Sequence, residues 1–167
     1  RQCIADIFAS FYEQLYSSRL DTEEAATQAD TTITPIPPFT RSELLRELRS
    51  FKSGRARDSS GIFAELLKSG GSCLTDVLLD LFNQIIMPNA APPSSWKEST
   101  VTVIFKSEDP GKAENYRPIT IIPLLYKLFA KLLYARLYPQ IDKQQCEDQA
   151  GFRRNYSTTH HLLTFSI

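Results

Sequence analysis

Apolar residues at Ile4, Ile7, Phe8, Phe11 and Leu15 recur at the i, i+3, i+4, i+7 spacing of a helix with one buried face. Residues 17–39 abandon that spacing. They turn polar and acidic and close on Pro35, Pro37 and Pro38, the composition of a mobile linker. Thr40-Arg41-Ser42-Glu43 fits a capping box, in which a Thr side chain and a Glu three residues on each satisfy a free amide of the first turn. It predicts a helix that buries Leu44, Leu48 and Phe51. A basic Gly- and Ser-rich loop, Gly54 to Gly61, leads to a short helix, Phe63 to Lys68, stopped by Gly70-Gly71. Ser72 opens the next helix, with an apolar stripe at Leu74, Val77, Leu78, Leu81, Phe82 and Ile85, and Pro88 ends it.

The period then changes from that of a helix to that of strands. Pro92-Pro93 and Trp96 form an extended approach to a β-branched and aromatic run, Thr100–Phe105, which predicts a strand. Asp109-Pro110-Gly111 supplies turn chemistry, and a second short strand precedes Pro123. Pro123 suits a first helical position. Leu124, Leu125, Leu128, Phe129, Leu132, Leu133 and Leu137 make a strong helical stripe that Pro139 is expected to break, with Lys127, Lys131 and Arg136 on other faces. A polar segment follows, and Ser157-Thr158 predicts the cap of a last helix. The chain is thus expected to be mainly α with one small antiparallel β-hairpin, an α+β class.

Composition adds bounds. The 167 residues suffice for one domain with a core, and 42% hydrophobic with 23% charged residues is ordinary for a globular chain. No apolar run reaches the roughly 20 residues of a membrane span, so no membrane is expected among the partners. Cys3, Cys73 and Cys146 are far apart and form no Cys-x-x-Cys pair, which predicts an intracellular, reduced setting and no zinc site. Zero net charge hides an asymmetry: residues 1–90 carry nine basic and twelve acidic residues (net −3), residues 91–167 ten and seven (net +3). A start at Arg1 and a stop at Ile167 in mid-pattern are read as a piece of a longer polypeptide.

Candidate chemistry centres on Val101–Pro123. Lys106 ends the first predicted strand and Arg117 stands just before the second. Two cations at the mouth of a hairpin can seat a polyphosphate, Lys as a mobile point charge and Arg as a planar fork. Pro118 holds Arg117 in an extended backbone. A lone Lys or Arg beside a turn is ordinarily only a solvated cation. Arg55 and Arg57 in the glycine-flanked loop could lie against a phosphate backbone, and so could Arg153 and Arg154 beside Gln149 and Gly151. The bland readings are a polar surface loop and a glycine turn over a core Phe152. His160-His161 would point about 100° apart on a helix and so do not converge on one metal.

Three blocks in order carry a family resemblance. Trp96, Lys106, Asn115-Tyr116-Arg117-Pro118-Ile119-Thr120 and Tyr126-Lys127-Leu128 are similar to the fingers hairpin of reverse transcriptases of the non-LTR retrotransposon (LINE-like) kind. Ala56, Asp58, Gly61, Ile62, Glu65 and Lys68 resemble an upstream fingers motif of the same family, and Asp148-Gln149-Ala150-Gly151-Phe152-Arg153 resembles a third. The resemblance covers nearly the whole chain. It implies a partial fingers region of a right-hand polymerase fold, residues 40–167, preceded by an amphipathic helix and linker, residues 1–39. It also implies that Lys106 and Arg117 bind the triphosphate of an incoming dNTP, with RNA template and DNA primer as partners.

The family's catalytic Asp strand and Tyr-x-Asp-Asp hairpin have no counterpart in this sequence. The chain is therefore expected to be inactive alone and to bind no cofactor itself. Mg2+ would belong to the full-length enzyme, whose palm and thumb lie elsewhere in the polypeptide. Two other readings stay open at this point: a decayed or repurposed nucleic-acid-binding module without catalysis, and a helical interaction scaffold.

Overall fold

The computed structural model describes residues 2–17, 36–55, 57–146, 149–151, 153–157 and 159. Ala56, Asp148, Phe152, Thr158, His160 and His161 lie outside the described residues, as do linker residues 18–35 and the last helix predicted from Ser157-Thr158. The elements run α1 (Gln2–Tyr16), α2 (Arg41–Arg49), α3 (Ala64–Ser69), α4 (Gly71–Ile85), β1 (Thr100–Phe105), β2 (Tyr116–Ile121) and α5 (Leu124–Gln144). Short 3₁₀ turns at Ser94–Lys97 and Ala113–Asn115 precede the two strands. Among the described residues, the expected mainly helical architecture with one antiparallel hairpin is what forms.

Local chemistry explains most boundaries. Both halves of the capping box at α2 are made: Thr40 Oγ1 accepts from the Glu43 amide, and the Thr40 amide donates to Glu43 Oε2 at 2.7 Å. Gly71 lies at φ +65, so the chain reverses between α3 and α4 in a conformation that only glycine adopts freely. α4 accordingly begins at Gly71 and not at Ser72.

The core lies where α2, α4 and α5 meet. Leu44, Phe82 and Leu128 are fully buried, and Leu48 and Leu132 nearly so. Phe129 sits within an aromatic group, 5.6 Å from both Phe82 and Trp96 and 6.0 Å from Phe39 between ring centroids. Phe39 is buried although composition assigns it to the linker. The reason is Asn83 on α4, whose Oδ1 accepts from the Phe39 amide at 2.6 Å while its Nδ2 donates to the Phe39 carbonyl at 3.2 Å. That pair imitates one rung of a strand ladder.

Three stripe predictions need correction. In α1, Ile4, Ile7 and Leu15 are exposed, because only the part of the helix around Phe8 and Tyr12 meets the hairpin. Val77 is 58% exposed, and Thr75 is buried in its place. Thr75 can turn inward because its hydroxyl donates to the Gly71 carbonyl at 2.7 Å. Leu137 is 49% exposed, because the packed face of α5 ends near Leu133.

Nor does Pro139 break α5, which runs on to Gln144. The turn beyond Pro139 is held from within and from outside the helix: Asp142 Oδ1 accepts from the Tyr138 hydroxyl of α5 at 3.1 Å and from Arg153 Nε, beyond the helix, at 2.9 Å. Proline in a helix interior still forfeits a bond to the carbonyl four residues back. Pro139→Ala is therefore expected to raise stability by about 1–2 kcal/mol, well within proline's penalty of about 3. A thermal melt checks it, and an unchanged or lower midpoint would show that the helix is already bent to suit the ring.

The hairpin is paired in the register Thr100↔Ile121 through Phe105↔Tyr116. α1 covers one of its faces. Phe8 meets the Tyr116 ring edge-on at 4.9 Å, the Tyr12 hydroxyl donates to the Tyr116 carbonyl at 3.0 Å, and an apolar cavity of about 500 Å³ remains between α1 and Val101 and Val103. No helix among the described residues is long and apolar enough to cross a membrane.

Candidate nucleotide and nucleic-acid site

Strand pairing decides where the two hairpin cations stand. Arg117 lies inside β2 as its second residue, opposite Ile104, and not before the strand as the sequence suggested. The Lys106 amide donates to the Asn115 carbonyl at 2.8 Å, which carries the ladder one rung past β1. Lys106 is two positions beyond Ile104, and side chains two apart share a face. Lys106 and Arg117 are therefore diagonal neighbours, with Cβ atoms about 7 Å apart by sheet geometry. Both are exposed.

The loop between them is tied down by its own side chains. Asp109 Oδ1 accepts from the Gly111 amide at 2.8 Å, Asn115 Nδ2 donates to the Asp109 carbonyl at 2.9 Å, and the Tyr116 hydroxyl donates to the Pro110 carbonyl at 3.0 Å. Asn115 is buried. Within Asn-Tyr-Arg-Pro, the Asn and Tyr thus brace the turn and leave the Arg displayed.

The Arg117 face continues through Ile119 and Ile121 into an open groove of about 870 Å³. Lys52 and Arg55 line it from the loop after α2, and Lys127 and Lys131 line it from α5. Lys131 is partly committed: its Nζ donates to Ser50 Oγ, lies 3.8 Å from Glu47 and sits over the Phe51 ring. Among the described residues, Lys52, Arg55, Lys127, Lys106 and Arg117 form no ion pair with a carboxylate. Five uncompensated cations on one side of the molecule give a local positive field that zero net charge conceals.

The loop that presents Arg55 is fastened at three points. The Gly54 amide donates to Glu65 Oε1, a bond that holds the Glu65 carboxyl below the usual carboxylate range. Lys68 Nζ donates to the Phe51 carbonyl. Asp58 Oδ1 accepts from the amides of Ser60 and Ile62 at 3.0 and 2.9 Å, and its Oδ2 accepts from the Leu124 amide at 2.8 Å. Gly61 permits the tight return at φ +77. Asp58, Gly61, Glu65 and Lys68 therefore shape this loop, a role that the sequence pattern alone does not distinguish from ligand contact.

The remaining candidates sit elsewhere. Arg57 lies over the Phe63 ring, 5.0 Å from its centroid. Arg153 turns inward to Asp142 and the Cys146 carbonyl, and its guanidinium covers Tyr156 at 4.6 Å. That pairing depresses the Asp142 carboxyl below its ordinary range. Arg154 stacks over Tyr138 and Tyr134, at 4.4 and 5.1 Å. Gln149 Nε2 donates to the Gly151 carbonyl at 3.1 Å. Lys52, Lys127 and Lys131, which the sequence reading did not select as site residues, join Arg55 at the groove instead. Among the described residues, no three His, Cys, Asp or Glu side chains gather as a metal site.

The chain is 27% identical over 157 residues to a probable RNA-directed DNA polymerase from transposon BS of Drosophila melanogaster, a match that covers 91% of this chain and 17% of the relative. It is 28% identical over 148 residues to a probable RNA-directed DNA polymerase from the transposon X-element of the same fly, covering 85% and 16%. An 81-residue match at 28% identity reaches the RNA-directed DNA polymerase from mobile element jockey, covering 45% and 9%. No protein-family model matches the chain. All three of these matches are to RNA-directed DNA polymerases of mobile elements, to which the chain is distantly similar. Within that class the similarity is to the LINE-like reverse transcriptases of non-LTR retrotransposons. It spans about a sixth of the length of the first two relatives.

Proposed function

We propose that this chain is the fingers portion of a LINE-like reverse transcriptase, and that it holds the incoming dNTP and the template–primer for a palm located elsewhere in the polypeptide. The observation that carries the proposal is the shared face of Lys106 and Arg117, which runs directly into the cation-lined groove. Lys106 and Arg117 would neutralise triphosphate oxygens as charge shifts during phosphoryl transfer. Lys52, Arg55 and Lys127 would follow the phosphates of a single strand, with Ile119 and Ile121 offering apolar surface to its bases. Nucleotidyl transfer needs paired ions, Mg2+ in the full-length enzyme, held by carboxylates that the described residues do not group.

Salt dependence tests the groove. Each single-strand phosphate neutralised contributes about 0.7 to the slope of log affinity against log salt. The triple variant Lys52→Ala, Arg55→Ala, Lys127→Ala is expected to flatten the slope for a single-stranded RNA by about 2. A slope equal to that of the unaltered chain would remove the groove from the proposal.

A further inference from the structure

α5 is a 21-residue helix with no cap of its own. The residue before it is Pro123, whose side chain offers no acceptor. The first amides of a helix need acceptors, and the partial positive charge there favours a carboxylate. The acceptor comes from 66 residues away: Asp58 Oδ2 takes the Leu124 amide at 2.8 Å, while Oδ1 of the same carboxylate closes its own loop through Ser60 and Ile62. One side chain therefore joins the loop that carries Arg55 to the first turn of the helix that carries Lys127. Each of those cations is three residues from an end of the bond, and both line the groove. β2 ends at Ile121, so the same bond also secures the joint between the Arg117 strand and α5.

We propose that Asp58 is a positioning residue: it caps α5 in trans and so sets the distance between Arg55 and Lys127 across the groove, without touching the nucleic acid. This rests on the groove reading above. Arg55 and Lys127 sit on separate elements, so a strand can engage both only if their separation matches its phosphate spacing. The Asp58–Leu124 bond is the hydrogen bond nearest both that spans loop and helix.

Asp58→Asn tests this in the full 167-residue chain. The amide keeps one oxygen, which can still close the loop, but its nitrogen cannot accept from Leu124. Hydrogen exchange at the Leu124 amide is expected to quicken about tenfold, with Ser60 and Ile62 protection retained. The salt slope for single-stranded RNA is expected to fall by about 0.7, one phosphate contact. Thr40→Ala removes a cap of similar worth on α2, away from the groove, and should leave the slope unchanged. Exposure of Leu124 in Asp58→Asn with an unaltered slope would overturn the positioning role while leaving the groove standing. Unchanged Leu124 exchange would overturn the cap itself. No salt-dependent binding by the unaltered chain would remove the groove reading, and the positioning role with it.

Discussion

Arg136→Ala is expected to destabilise the chain by about 3 kcal/mol, the low end for stranding one member of a largely buried ion pair. Arg136 Nε and Nη2 reach both oxygens of Glu43 at 2.8 and 2.9 Å, Nη2 also donates to the Pro38 carbonyl at 2.8 Å, and Nη1 donates to the Pro37 carbonyl. The guanidinium lies over the Phe39 ring at 4.3 Å. One side chain on α5 thus holds the entry segment, the α2 cap and the edge of the core. Its hydrogen bonds to Glu43, followed by those from Thr40, hold the Glu43 carboxyl down at about 2 against burial. A folded-state pKa below the unfolded one stabilises fully above the unfolded value of 4.5 and is lost as pH falls from there toward 2. Urea melts of the unaltered chain should therefore lose stability steeply between about pH 4.5 and 2. In Arg136→Ala that part of the pH dependence should shrink, and an equally steep fall would show that other carboxylates govern acid unfolding.

The double variant Lys106→Ala, Arg117→Ala is expected to weaken triphosphate binding about 100-fold or more. A hydrogen bond to a charged group contributes about 1.5–3 kcal/mol, and 1.4 kcal/mol is tenfold. Each single variant should lose about tenfold on the same reckoning. Lys112→Ala serves as the control. Lys112 lies in the same loop, 3.8 Å from Glu114, so its charge is already answered and its removal should change affinity little. Calorimetric titration with a dNTP reads all five proteins. Equal affinity in the double variant and the unaltered chain would refute the hairpin assignment, and absence of binding by the unaltered chain would favour the scaffold reading instead.

Much of the secondary structure was legible because its causes are local. The capping box at Thr40 and Glu43, the β-branched run at 100–105 and the turn at Asp109-Pro110-Gly111 each act within a few residues, and all three formed as expected. The misreadings share one origin. Val77 and Leu137 satisfy a helical period but lie past the edge of what α4 and α5 bury, and Pro139 is tolerated because Arg153 holds Asp142 one turn on. Periodicity reports which face could be buried, not how far a neighbour covers it.

The sequence by itself determined the resemblance to LINE-like reverse transcriptases, the helical class and the pair of cations at the hairpin, since motif order and strand alternation need no partner to be read. Only the tertiary structure decided which charges are spoken for. Arg136, Arg153 and Lys131 look as available as Arg55 or Lys127 in the sequence, yet they are committed to Glu43, Asp142 and Glu47. Asp58 reads as a loop residue until the fold sets it under the first turn of α5. Those partners lie between 11 and 93 residues apart along the chain, and no local pattern encodes a contact that chain folding alone brings within hydrogen-bond reach.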